Sequence, residues 1–374
     1  MNKIVIASDS FKGSLSSIGV ASSLEDGILE VLPDCEVLKV QVADGGEGTV
    51  DAVMDLRKGE WMEVTVSDPL GRPVGTRYGA IDGCALIEIS SASGLPLLST
   101  DERNPSLTSS YGSGEMISDA IDRGFRKFII GLGGSATNDG GTGMLTALGA
   151  RFLDAEGRLL RGCGADLRRI ARADLSGMRP ELSECSFTVA CDVDTPFCGP
   201  QGAAYIFAPQ KGADPAMVEM LDAGLRNLAA VIASGTGRDI STLPGSGAAG
   251  GLGGAFAAFL DAELKRGVDL ILDIVGFDSI IEGADLVITG EGKMDSQTGK
   301  GKTPDGVLGR AAGKGIPVVA FAGKVERCPQ LEALGFERII QVSDPQMPLE
   351  KAMLPEVTSA RLREAVKGFL SEYC

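Results

Sequence analysis

The sequence predicts an α/β protein in which a parallel-sheet domain is interrupted by a second, mixed α/β domain. Three observations carry that expectation. At both ends of the chain, short apolar runs closed by glycine or small polar residues alternate with helical patterns, as buried parallel strands and their crossover helices do. In between, that order gives way to alternating runs joined by tight turns, the mark of antiparallel pairing. Finally, 374 residues exceed what one core usually sustains, and 44% hydrophobic residues with only 5% aromatic suit an aliphatic α/β interior.

The elements follow in order. Lys3 to Ala7 reads as a strand, and Ser14 or Ser16 caps a helix whose apolar face is Leu15, Ile18, Ala21, Leu24 and Ile28. Leu38, Val40 and Val42 alternate with polar residues in a second strand. It ends at Ala43-Asp44-Gly45-Gly46-Glu47-Gly48, ahead of a helix over about Thr49 to Leu56. Val64 and Val66 then alternate with Glu63 and Thr65, Asp68-Pro69-Leu70-Gly71 turns, and an extended run reaches Asp82-Gly83 before Ala85 to Ile89. A helix over about Thr108 to Asp122 leads to the strand Phe128 to Leu132 and the polar glycine loop after it. A hairpin at Asp154 to Gly157 and a strand at Phe187 to Ala190 come next, then the glycine-rich Pro244 to Gly254 and an amphipathic segment, Phe256 to Leu264. From Ala284 the α/β alternation resumes, with strands at Leu286 to Thr289, Pro317 to Ala322 and Arg338 to Val342. The domains are therefore expected at 1–60 with 281–374, and at 61–280.

Composition excludes several functions. A net charge of −16 without a sustained Lys/Arg run argues against nucleic acid, whose backbone needs a basic patch. Salt screens the global charge beyond about 8 Å, so a few local lysines still allow a small anionic substrate. The eight cysteines show no C-x-x-C spacing, as expected of reduced thiols in a cytoplasmic protein. The N-terminus does not read as a signal peptide, and no apolar run is long enough for a membrane helix. There is no histidine, which removes imidazole bases, Ser-His-Asp catalysis and His-ligated zinc, and leaves acid/base work to Asp, Glu or Lys.

Asp9, Asp44, Asn138, Asp192, Glu291 and Lys324 are each expected just past the carboxyl end of a strand, where open α/β sheets place ligands. Singly, each also reads as a solvated turn residue; six in one topological place point to a small-ligand cleft between the domains. Phosphoryl transfer needs phosphate-directed N–H groups, positive charge or Mg²⁺, and a carboxylate on the attacking hydroxyl. The glycine loops supply the first, Lys12, Lys211, Lys302 and Lys324 the second, and Asp192 the third, with Asp194 and Asp9 as competing bases. Glu291 and Asp295 are the candidate Mg²⁺ ligands, although their charged segment also reads as a solvated surface. Gly301-Lys302-Thr303 is not a P-loop, because Ser296 stands where its first glycine belongs. Gly131-x-Gly133-x-x-Ala136 and Gly245-x-Gly247-x-x-Gly250 fit the dinucleotide fingerprint in poor context; either loop could still cradle phosphates.

Five motifs in one order carry a resemblance. They are Ser8-Asp-Ser-Phe-Lys-Gly13, Ala43 to Gly48, Gly131 to Gly141, Ala190-Cys-Asp-Val-Asp-Thr-Pro196 and Gly290 to Thr298, and together they resemble the bacterial type I glycerate kinase family. The similarity covers nearly the whole chain. It implies a flavodoxin-like domain with a second α/β domain inserted, and ATP-dependent phosphorylation of D-glycerate at the 2-hydroxyl with Mg²⁺. Lys12 would then hold the substrate carboxylate, with Ser10, Asp44, Glu47, Asn138 and Asp139 as further substrate contacts. Gly133, Gly134, Ser135, Gly247, Gly250, Gly251 and Lys302 would hold the nucleotide. Departures from the family pattern are Ser8, Thr195 and Lys293-Met294; that at Thr195 puts one loop contact in doubt, not the reaction. The readings from other classes are a nicotinamide-dependent hydroxy-acid oxidoreductase and a nucleotide or phosphate sensor, and within the kinase reading 3-phosphorylation stays open, as does a homo-oligomer.

Overall fold

Ile4, Val5 and Ile6 are buried on both faces, the demand a central parallel strand makes. They form β1 (Lys3–Ile6), followed by the helix Ser17–Val31 and β2 (Glu36–Lys39). The computed structural model describes residues 1–11, 13–42, 50, 53–54, 59–299 and 301–373. Beyond β2 come β3 (Glu60–Ser67), β4 (Pro73–Ile81), β5 (Cys84–Glu88), β6 (Lys127–Gly131), β7 (Arg151–Leu153), β8 (Arg172–Asp174), β9 (Ser186–Ala190) and β10 (Glu263–Lys265). The chain closes with β11 (Leu286–Met294), β12 (Val318–Val325) and β13 (Arg338–Gln341). It divides into two compact units, Met1–Asp44 with Gly267–Cys374, and Gly45–Arg266. These cuts precede residues 60 and 281 for packing reasons. Gly79 leaves no room for a Cβ beside Met54, and Gly306 leaves none beside Val268, so the helix Gly267–Val275 lies on the helix Thr303–Ala312.

In the first unit the described strands form one parallel sheet in the order β13-β12-β11-β1-β2. Counting only these strands along the chain, the order is 2-1-3-4-5, that of the flavodoxin-like doubly wound fold, with the other unit inserted after the second strand. The helices Ser17–Val31 and Pro355–Tyr373 cross at Gly27, where a Cβ would meet Val366 at 2.5 Å. Ser16 Oγ caps the first of them, accepting from Gly19 N at 3.2 Å. Its buried face is Val20, Ala21, Leu24 and Ile28, while Ile18, expected inside, is 59% exposed.

β11 and β12 run past the ends expected for them. Glycine after an apolar run signals a strand end, but Gly292 and Gly323 lie side by side, and a Cβ on Gly323 would meet the Gly292 carbonyl at 2.5 Å. Two facing glycines let the backbones approach and the ladder continue, so Glu291 pairs with Ala322 and Lys293 with Lys324 inside the sheet.

In the second unit the order is β10-β9-β6-β5-β4-β3, parallel from β10 to β5 and antiparallel from β5 to β3. Its core stacks Phe128 on Phe187, with centroids 4.7 Å apart, and Phe187 packs on Phe256. The glycine-rich 245–254 segment is not an open loop. It enters the helix Ala248–Phe259, kinked at Ala249, Gly250 and Gly251, and Glu263–Lys265 beyond is the strand β10, not helix. The cause is burial: Leu252, Ala255 and Phe256 are fully enclosed.

Candidate functional site

In the second unit a cavity of ≈ 250 Å³ opens beyond the carboxyl ends of β6 and β9, lined by Gly133, Gly134, Ser135, Asp192 and Lys211. The loop after β6 is pinned to the segment after β5: Leu95 N donates to the Gly134 carbonyl at 2.9 Å, and Ala136 N to the Ser93 carbonyl at 2.8 Å. Gly134 takes φ +69°, which glycine allows without strain. The main-chain N–H groups of Gly133, Gly134 and Ser135 donate to no described residue. Lys211 Nζ donates to Ser135 Oγ at 2.8 Å and to the Thr137 carbonyl at 2.7 Å, and burial lowers its pKa to about 7.

Behind the loop stands Asp139, fully buried and not part of the cavity wall. Its carboxylate accepts from Ser110 N at 2.7 Å, Ser110 Oγ at 2.8 Å and Gly141 N at 3.1 Å. Burial pushes its pKa up, and these donors work against that. These hydrogen bonds let it organise the loop from within. Asn138 is likewise fully buried, and its amide O and N have no hydrogen-bond partner among the described residues. Gly247, Gly250 and Gly251, expected to hold the nucleotide, pack closely on neighbouring backbone and are not part of the cavity wall. Gly247 lies against the Pro196 carbonyl, Gly250 against the Thr137 carbonyl and Gly251 against Gly140. The residues of that segment reaching the cavity are Ala248 and Ala249.

The first unit holds a cavity of ≈ 340 Å³ whose wall includes Asp9, Ser10, Glu291, Lys302 and Lys324. Asp9 follows β1, with its N–H on the Gly290 carbonyl at 2.9 Å, and its Oδ1 accepts from Ser10 N at 2.6 Å. Glu291 accepts from Thr298 Oγ1 at 2.6 Å and from Lys302 Nζ at 3.0 Å. Asp295 stands outside this wall: it accepts from Gln297 N at 2.9 Å and pairs with Lys293 at 3.0 Å, and the Gln297 hydrogen bond first, then Lys293, holds its pKa down. Among the described residues no three His, Cys, Asp or Glu side chains form a metal cage. Asp9 and Glu291 on one wall nevertheless suit Mg²⁺, which is usually held by one or two carboxylates plus substrate phosphates.

Lys12, Asp44 and Glu47 lie outside the described residues. Of the six residues expected past strand ends, Asp9, Asn138 and Asp192 are so placed, whereas Glu291 and Lys324 lie within β11 and β12. The sequence offers Lys211 only as one of four lysines able to supply charge, without placing it at a site. The available signal was local: Pro209 and Gly212 bracket it in a tight turn.

Two α/β units with glycine and acidic loops beyond their parallel strands, each holding a cavity lined largely by apolar surface with a few polar and charged side chains, have the construction of a small-molecule enzyme. A family model described as "Glycerate kinase family" matches residues 4–372. The chain is 45% identical over 353 residues to the glycerate kinase of Bacillus subtilis (strain 168), spanning 94% of this chain and 92% of that one. It is 46% identical over 325 residues to the glycerate 2-kinase of Escherichia coli (strain K12), spanning 86% and 85%. A crystal structure of a protein described as glycerate kinase 2 from Salmonella typhimurium LT2 superposes with a TM-score of 0.84 at 43% identity, covering 100% of this chain and 98% of that one. The chain therefore belongs to the glycerate kinase family, a family of phosphotransferases. No helix among the described residues is long and apolar enough to cross a membrane.

Proposed function

We propose that this protein transfers the γ-phosphoryl group of ATP to the 2-hydroxyl of D-glycerate. The observation that carries the reading, beside the family, is that Gly133, Gly134 and Ser135 share one cavity with Asp192. Donors suited to phosphoryl oxygens and a carboxylate suited to an attacking hydroxyl thus face the same space. In the reaction Asp192 accepts the 2-hydroxyl proton as that oxygen bonds to the γ-phosphorus. The bond from the γ-phosphorus to the β,γ-bridging oxygen breaks, and ADP leaves.

Asp9 and Glu291 are the carboxylates that would hold Mg²⁺ in the first unit, with Lys302 and Lys324 supplying charge for phosphate oxygens. Such an ion would supply positive charge to phosphate oxygens. Lys12, Ser10, Asp44 and Glu47 remain proposed substrate contacts on sequence grounds. Incubation with ATP, Mg²⁺ and D-glycerate, followed by phosphorus NMR, tests the reading. A phosphomonoester on a secondary carbon supports it, an ester on a primary carbon overturns the regiochemistry, and no ester overturns the reaction.

A further inference from the structure

Lys211 is 2% exposed, although an ammonium is strongly hydrated and costly to enclose without a partner. It ends the turn Pro209–Lys211, and Gly212 at φ +97° then reverses the chain against the Arg103 carbonyl, where a Cβ would not fit. Lysine offers three donors and no acceptor. Two of its donors are used on Ser135 Oγ and the Thr137 carbonyl, so one is left over. No carboxylate of a described residue pairs with it, and Asp139 acts only through space. Because lysine cannot accept, Ser135 Oγ is the acceptor in their bond, and its own proton donates to no described residue. Both side chains wall the ≈ 250 Å³ cavity beside Gly133 and Gly134.

We propose that Lys211 and the Ser135 hydroxyl form an oxyanion-binding site, with the main-chain N–H groups of Gly133 and Gly134, whose buried ammonium is completed by a ligand oxygen. The ligand's identity rests on the kinase reading: the oxygen belongs to a phosphoryl group of ATP or to the carboxylate of glycerate. The titratable groups around Lys211 are Asp139 behind the loop and Asp192 and Cys191 on the cavity wall; the Arg103 main chain packs on Gly212. Free Lys211 titrates near pH 7 because of its burial, and a bound anion favours its protonated form. Affinity for that anion is therefore flat below about pH 7 and falls above it.

The test is calorimetric titration of the full chain, separately with D-glycerate and with a non-hydrolysable ATP analogue plus Mg²⁺. Wild type, Lys211→Met and Ser135→Ala are compared from pH 6 to 9. Lys211→Met is expected to weaken at least one arm on the order of 100-fold and to abolish its pH dependence, with Ser135→Ala weakening the same arm about tenfold. Loss in the nucleotide arm identifies a phosphoryl group, and loss in the glycerate arm the carboxylate. Wild-type affinities in both arms of folded Lys211→Met, or an unchanged pH dependence, would overturn the proposal. Should Lys211→Met fail to fold, Ser135→Ala and the wild-type pH dependence decide it. If wild type shows no turnover of glycerate with ATP, the kinase reading fails by itself, and titration with inorganic pyrophosphate still tests the oxyanion site.

Discussion

Lys302 Nζ donates to Oε2 of Glu291 across 3.0 Å, and the carboxylate belongs to a residue only 6% exposed. Thr298 Oγ1 takes the other oxygen, at 2.6 Å. A nearly buried carboxylate is thus fixed at the wall of the first unit's cavity by one cation and one hydroxyl. Glu291→Gln keeps the volume and removes the charge. It is expected to lower kcat/KM by about tenfold or more and to raise the Mg²⁺ concentration for half-maximal rate. Initial rates across a Mg²⁺ series check this, and an unshifted midpoint would take Glu291 out of any metal role.

Asp192→Asn removes the proposed base while preserving shape. A lost general base costs about 10²–10⁴ in kcat, so kcat should fall in that range and the acidic limb of the pH–rate profile should disappear. Asp194→Asn serves as the comparison and should stay near wild type. If the two variants behave alike in single-turnover measurements, the base lies elsewhere.

Gly250→Ala tests the packing of one loop on another. Gly250 sits at φ +71°, and a Cβ there would run into the Thr137 carbonyl. A left-handed alanine alone is strained by roughly 1–2 kcal/mol, and displacing backbone adds to that, so a drop in Tm of several degrees is expected. Because the Thr137 carbonyl also accepts from Lys211, activity should fall with stability. Thermal unfolding and assays of one sample measure both; an unchanged Tm would mean that the two loops part easily.

Lys211→Met should stabilise the protein, in a pH-dependent way. Burial lowers the Lys211 pKa from an ordinary 10.5 to about 7. Between those values the unfolded chain holds a proton that the folded chain has released, so this group makes wild-type stability rise with pH across the window. Below about pH 7 both states are protonated and the full cost of the enclosed charge is present. The Tm advantage of Lys211→Met is therefore largest near pH 6 and shrinks toward pH 10. A variant less stable than wild type at pH 6 would show that the loop hydrogen bonds outweigh the burial of the charge.

Elements whose burial pattern is local were legible in the sequence. The runs at β1, β6 and β9 are short, apolar and closed by small residues, and the turns at Asp68–Gly71 and Asp82–Gly83 join β3, β4 and β5 as alternation required. The sequence is ambiguous where glycine has more than one use. At Gly292 and Gly323 it extends a ladder, and at Gly250 and Gly251 it lets a kinked segment pack on the loop at Thr137 and Gly140. A glycine serving a ligand and one serving a neighbouring backbone look the same along the chain, because both meet the need for close approach.

The carboxylates divide on the same principle. Asp139 and Asp192 both follow strands among small and polar residues, yet the first is enclosed by four donors, from Ser110, Gly141 and Gly143, and the second walls a cavity. Local spacing places each near a strand end; the direction of each side chain depends on contacts such as that with Ser110, 29 residues away. By itself the sequence determined the alternation of elements, the absence of imidazole chemistry and the family. Tertiary structure alone decided which polar residues are enclosed and which line a cavity, because burial is set by neighbours distant in the chain. Lys211 is the sharpest case, a lysine unremarkable in composition that becomes a buried cation only once Ser135 and Thr137 are folded around it.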